Sequence, residues 1–246
     1  MDKFSLYVPN FLPFKELFVP EKNQACPGCG LALAIRQAYK ALDKEIEKAT
    51  WQPLMEGKTL EGNLDVFGVG RTEVSFLTIP KGKADLLLCL DNEAGGSLNE
   101  AIEKPMPSIA VAEGFQYVAT ACPSYPFDLY EKIKRGFQTE GKAYIHILCP
   151  CPEGWQFEPE LAVKIGRWAV ESRAFPLYEG GGEIYHLTVK TSKPRSLSDY
   201  LKAQKRFEGL SEKEIEEAQV LVENEYKKLL DAIQKYLDAT GLKTTP

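Results

Sequence analysis

The sequence lacks any apolar run approaching the ~20 residues needed to cross a bilayer, and its first residues lack the basic-then-apolar order of a signal peptide. A cytoplasmic protein without a membrane span is therefore expected. Cysteine is scarce: six in 246 residues are too few for a secreted disulfide scaffold, whereas a reducing compartment would suit metal thiolates. Clustered basic residues are missing as well, and the net charge is -5, which argues against nucleic acid as a partner. No repeat or low-complexity tract interrupts the chain. With 44% apolar residues, the simplest reading is one large domain with a sizeable core. Histidine occurs only twice, and both His146, in an apolar run, and His186 read as satisfied sheet residues rather than catalytic bases.

Where the few cysteines fall is more telling than their number. Cys26-Pro27-Gly28-Cys29 and Cys149-Pro150-Cys151 are two short-spaced pairs, far apart in the chain and framed by turn-forming Pro and Gly. Four thiolates brought together would meet the ligand count of an iron–sulfur cluster or of structural zinc, and the spacing does not choose between them. A lone Cys-x-x-Cys is also compatible with a redox dithiol. Cys89 and Cys122, each inside or after an apolar strand-like run, read as core filler. Convergence is easiest if residues 149–153 form a turn.

The pattern along the chain alternates helix and strand. Residues 1–25 carry Pro9, Pro13 and Pro20 among aromatics and read as an extended arm. Leu31, Ala34, Ile35, Ala38, Leu42 and Ile46 recur at helical spacing, so the first cysteine turn opens directly into a helix, whose N-terminus favours negative charge. Residues 85–91, 117–121 and 143–148 read as strands, the first and last of the kind buried on both faces of a parallel sheet, with a helix over 126–138. Pro159 suits the first turn of a helix running toward Ser172, and a last strand is expected near 184–190. From Ser196 the chain turns charged and helical, and Ser211 with Glu214 forms a capping box before a long amphipathic helix. The expected architecture is α/β, a mainly parallel sheet flanked by helices over residues 1–195, with a helical extension over 196–246.

Several of these segments together resemble a known family. Ala25-Cys26-Pro27-Gly28-Cys29-Gly30 before a helix, Asp91-Asn92-Glu93-Ala94 after an apolar strand, Tyr117–Ala121, and Ile145–Trp155 are similar to the beta subunit of 2-oxoacid:ferredoxin oxidoreductases, the pyruvate synthase family. The likeness runs through Phe175–Glu179 to Leu197–Leu201 and covers most of residues 20–208. It implies a thiamine diphosphate-binding-type fold, a four-iron (4Fe-4S) cluster on cysteines, and oxidative decarboxylation of a 2-oxoacid such as pyruvate with coenzyme A. It implies electron transfer to ferredoxin, and alpha, gamma and ferredoxin-like delta subunits or their fused equivalents as partners. A cofactor of that kind supplies carbanion chemistry, and its diphosphate needs a hard cation held by oxygen ligands. The candidate contacts are Gly68, Gly70, Asp91, Asn92, Glu93, Ala94 and Asn99, with Asn92 and Ala94 as magnesium ligands; Ser97, Asp65 and Arg71 are further candidates.

The chain departs from the family pattern twice. The Gly-Asp-Gly turn aligns with Gly68-Val69-Gly70, and a valine side chain cannot ligate magnesium; the interval from there to Asp91 is also short. The cluster motif's third cysteine is missing from Ala49-Thr50-Trp51, while Cys149 is extra, so Cys149 is expected to replace it beside Cys26, Cys29 and Cys151. Two function classes follow: a catalytic beta-type subunit, or a paralogue without functional thiamine diphosphate that serves as an electron-transfer or structural subunit. A third reading is a zinc-stabilised module without redox chemistry.

Overall fold

In a computed structural model, residues 25–55, 58–59, 74–93, 98–102, 106–181 and 184–240 are described. Residues 1–24 of the expected arm and the Gly68-Val69-Gly70 turn, with Asp65, Arg71, Ala94 and Ser97, lie outside them.

Helix α1 (Gly30–Leu42) follows the first cysteine turn and buries Leu31, Ala34, Ile35, Ala38 and Leu42, the face its sequence spacing required. After a 3₁₀ segment (Asp43–Lys48) come β1 (Thr50–Met55), β2 (Lys58–Thr59), β3 (Val74–Lys81) and β4 (Ala84–Asp91). Short helices α2 (Leu98–Ile102) and α3 (Met106–Ala112) precede β5 (Tyr117–Ala121), α4 (Pro126–Gln138) and β6 (Ala143–Leu148). Then follow α5 (Pro152–Trp155), α6 (Ala162–Glu171), β7 (Tyr178–Gly181), β8 (Ile184–Leu187), α7 (Leu197–Lys202) and the long α8 (Glu212–Thr240). The capping box at the start of α8 forms: the Ser211 N–H and hydroxyl donate to the Glu214 carboxylate at 2.8 and 2.6 Å.

One sheet of eight strands runs β2-β1-β3-β4-β6-β5-β7-β8. Its centre is parallel, β4 with β6 and β6 with β5; on either side it is extended by antiparallel strands. The parallel pairs are the ones whose sequences read as continuous apolar runs, and all of β5 and β6 is buried because helices cover both faces. Each fully buried Leu or Ile there contributes about 1.5–3 kcal/mol relative to exposure. Residues of alternating parity serve different cores: Ile145, Ile147 and Cys149 join Ile35 and Leu88 on the α1–α4 side, whereas Leu148 joins Trp155, Phe175 and Val222 on the side of α6–α8. The helical segment from Leu197 therefore packs as part of the second core through Leu197, Tyr200 and Leu201.

The β3–β4 hairpin was not foreseen from sequence. Lys81 pairs with Ala84 across a two-residue turn in which Gly82 has φ +73°, a conformation glycine adopts without a Cβ clash. Such a connection leaves no room for a parallel crossover, which needs a dozen or more residues. The short interval before Asp91 thus has a structural counterpart: β3 reaches β4 directly, and Val74 stands opposite Asp91.

Candidate functional site

Two features lie at the carboxyl ends of the central strands, where open α/β sheets bind ligands. The first is the cysteine rim. The Cys29 N–H donates to the Cys26 carbonyl at 3.1 Å and closes a tight turn with Pro27 and Gly28 at its centre. Gly28 has φ +70°, and a Cβ there would sit 2.4 Å from the Pro159 carbonyl oxygen, so both conformation and packing demand glycine. Gly30 docks the turn on the second cysteine segment: its N–H donates to the Pro150 carbonyl at 2.9 Å, and a Cβ would meet Pro150 N and O at 2.6 Å. Two segments some 120 positions apart in the chain are thus joined backbone to backbone.

Cys29 is the N-cap residue of α1, and Cys151 holds the same position on α5, its sulfur accepting from the Gly154 N–H at 3.3 Å. Burial raises the Cys29 thiol above its ordinary range, opposed by the Ala32 and Leu31 backbone N–H groups and raised further by Cys151 and Cys26. Burial likewise raises Cys151, opposed by Gly154 and raised by Cys26. Cys26, Cys29 and Cys151 therefore lie near one another at a rim where Cys26 is exposed and the other two are half-buried.

Cys149 is placed differently. It is fully buried, continues the parity of Ile145 and Ile147 into the α1–α4 core, and its thiol donates to the Ile147 carbonyl at 3.4 Å. Burial, with Cys122 and Cys29 nearby, pushes it well above the normal thiol range. Cys89 and Cys122 are also buried as core residues, and burial pushes Cys122 up to about 11. All six cysteines of the sequence are thereby located. Among the described residues, no group of three or more His, Cys, Asp or Glu side chains is placed to hold a single metal ion.

The second feature is the turn after β4. Asp91 accepts from the Glu93 N–H at 3.0 Å, and its other oxygen lies 2.9 Å from His146 Nε2. Glu93 has φ 49° and is buried; Arg206 grips both its carbonyl, at 2.5 Å, and its carboxylate, at 3.2 Å. The Asn92 carbonyl accepts from the Trp155 indole at 2.6 Å, and the Arg206 guanidinium stacks 4.4 Å over that indole. Asn92 is buried, whereas Asn99 lies exposed on α2 and is not brought to the turn by any described contact. Both carboxylates of the turn are thus engaged by other side chains.

Sequence reasoning placed His146 correctly as a satisfied sheet residue, here tied to Asp91, and His186 is exposed beside Glu179 at 3.1 Å. It missed Arg206 and the indole of Trp155. A lone arginine in the charged Lys205-Arg206-Phe207 stretch carries no local signal that it will be buried against a residue 113 positions earlier.

No family model matches the chain. Pyruvate synthase subunit PorB of Methanosarcina barkeri is 30% identical over 243 residues, covering 86% of this chain and 79% of that protein. The chain belongs to the beta-subunit family of 2-oxoacid:ferredoxin oxidoreductases. Pyruvate synthase subunit PorB of Methanocaldococcus jannaschii is 42% identical over 127 residues, 52% of this chain and 43% of that protein. Ketoisovalerate oxidoreductase subunit VorB of Pyrococcus furiosus is 32% identical over 143 residues, 56% of this chain and 46% of that protein. The chain thus spans less than half the length of these last two relatives. Among the described residues no helix is long and apolar enough to cross a membrane.

Against what this beta-subunit family implies, the two features fare unequally. At the rim, Cys26, Cys29 and Cys151 raise one another's thiols, backbone N–H groups face two of the sulfurs, and the place is partly open, which would suit an anionic centre, although among the described residues no three side chains stand placed for a single metal ion. Cys149 is fully buried in the α1–α4 core, against which Cys29 also packs. The turn after β4 does not fit a magnesium–diphosphate site. The Val69 side chain offers no oxygen, and Asp91 and Glu93 are committed to His146 and Arg206.

Proposed function

We propose that this chain is a beta-type subunit of a 2-oxoacid oxidoreductase assembly that carries an iron–sulfur centre for electron transfer and does not hold thiamine diphosphate through its own Asp91 turn. The observation that carries the reading is the contrast in ligand availability: three thiols gathered at one rim, against two carboxylates already bound by neighbours. The names of the relatives support a pyruvate or branched 2-oxoacid as the substrate of the whole assembly. Alpha, gamma and ferredoxin-like delta chains, or fused equivalents, are the corresponding partners, with coenzyme A as co-substrate and ferredoxin as acceptor.

When bound, such a centre would accept and pass on one electron at a time. The chain's own part is to hold it. Cys26, Cys29 and Cys151 must lose their protons to become ligands, and burial makes that loss unfavourable for Cys29 and Cys151 without a cation nearby. The Leu31, Ala32 and Gly154 N–H groups oppose that burial and stabilise sulfur charge.

Asn92, buried at the carboxyl end of a parallel strand, supports a second reading: a catalytic beta subunit with thiamine diphosphate and magnesium. Metal, sulfide and thiamine analysis of the anaerobically purified native assembly separates the readings. Iron with acid-labile sulfide, visible absorption that bleaches on reduction, and no stoichiometric thiamine are expected. Thiamine diphosphate with magnesium would establish the catalytic reading instead, and colourless protein with stoichiometric zinc would refute both.

A further inference from the structure

A cavity of about 290 Å³ lies between α8, the segment 173–176 and strands β5, β7 and β8. Its walls are largely apolar, with Ile102, Phe175, Val222 and Leu229 among them, and it is separate from the cysteine rim. Arg173 is the informative residue. Its guanidinium stacks 4.4 Å over Tyr226, and Nη2 donates to the Thr191 carbonyl at 2.8 Å. Nε is buried with no partner. Among the described residues no carboxylate pairs with this arginine, and the one acidic side chain of the cavity, Glu225, receives a 2.5 Å bond from Lys228.

Arg173 also has φ 66°, in the left-handed region that a long side chain occupies only at a cost of about 1–3 kcal/mol. A buried donor without a partner costs a further ~1–3 kcal/mol. Both costs fall on one residue that lines a cavity. Two phenols line it too: Tyr178 and Tyr185 meet edge to face at 5.6 Å, and burial keeps both protonated, so they remain hydrogen-bond donors. Thr120 is spent, since its hydroxyl donates to the Pro176 carbonyl and accepts from the Tyr178 N–H.

We propose that this cavity binds a small monocarboxylate with a short apolar body, its carboxylate received by Arg173 Nε and the tyrosine hydroxyls. The charge follows from an arginine without a counter-ion, the apolar body from the walls, and the size from a volume at the lower limit of ligand pockets. The cavity is not isolated from the sheet: Phe175, in its wall, packs at 5.7 Å against His146, which bonds Asp91.

Calorimetric titration of the chain with isovalerate, its uncharged amide isovaleramide, and inorganic phosphate tests the assignment. Saturable binding of isovalerate is expected, with the amide and phosphate each weaker by about tenfold or more, since a hydrogen bond to a charged group contributes about 1.5–3 kcal/mol. Arg173→Asn removes the guanidinium while tolerating the left-handed backbone, and should lower isovalerate affinity by about tenfold or more. Tyr178→Phe should lower it several-fold. No saturable binding, equal binding of acid and amide, tighter binding of phosphate, or unchanged affinity in Arg173→Asn would each overturn the proposal. If circular dichroism shows that Arg173→Asn does not fold, the acid-against-amide comparison on the unaltered chain decides.

Discussion

The cysteine rim and the Asp91–Glu93 turn sit at the same end of one sheet, carry recognisable family motifs, and differ in what their ligand atoms are doing. At the rim, the Gly30 N–H bonds the Pro150 carbonyl and ties the Cys26–Cys29 turn to the Cys149–Cys151 segment, and backbone N–H groups attend the sulfurs of Cys29 and Cys151. At the turn, His146 holds Asp91 while Arg206 and Trp155 hold Glu93 and the Asn92 carbonyl. A motif keeps its letters in both places, but its atoms stay available only where no neighbour has claimed them.

The sharpest way to break this contrast is Arg206→Met. It leaves the buried Glu93 carboxylate without its cation and should cost about 3–5 kcal/mol in urea denaturation. If instead Arg206→Met is nearly neutral and improves binding of magnesium thiamine diphosphate, the turn is a cofactor site held in reserve and not a latch. Gly30→Ala attacks the other region: its Cβ meets Pro150 and Cys149 backbone at 2.6–2.8 Å, so the two cysteine segments must part. A loss of about 1–3 kcal/mol is expected, together with loss of bound iron measured on the anaerobic protein.

Cysteine variants sharpen the assignment within the rim. Cys149→Ala should cost roughly 1–2 kcal/mol as a small core cavity yet keep the visible spectrum. Cys151→Ser should lose or alter the spectrum with a smaller effect on stability. The reverse pattern would make Cys149 the ligand.

The smallest expected effect is in pH. The folded thiols of Cys29 and Cys151 titrate above their unfolded value, so in metal-free protein their contribution is complete below the ordinary thiol range near pH ~8.5 and falls as pH rises through the folded values. Thermal melts of the apo-protein between neutral and alkaline pH check this, and the dependence should shrink in Cys29→Ala.

Much of this arrangement is local and hence legible in the chain. The limits of β5, α4 and β6 match the segments read from apolar pattern, and α1 begins where the Cys-Pro-Gly-Cys turn demands, because strands and helices announce themselves through periodicity. The parity of Ile145, Ile147 and Cys149 is legible too: a residue two positions beyond a core-facing strand residue faces the same core. The β3–β4 hairpin was overlooked, although its Lys81-Gly82-Lys83-Ala84 turn carries a glycine at the required place.

Residue order therefore dictated the α/β elements, the family, and which side of the sheet each strand residue meets, since those depend on contacts a few positions apart. Whether a carboxylate or thiol is left to bind anything was decided by packing. Arg206 lies 113 positions from Glu93 and Pro150 lies 120 from Gly30, and partners so distant leave no periodic trace.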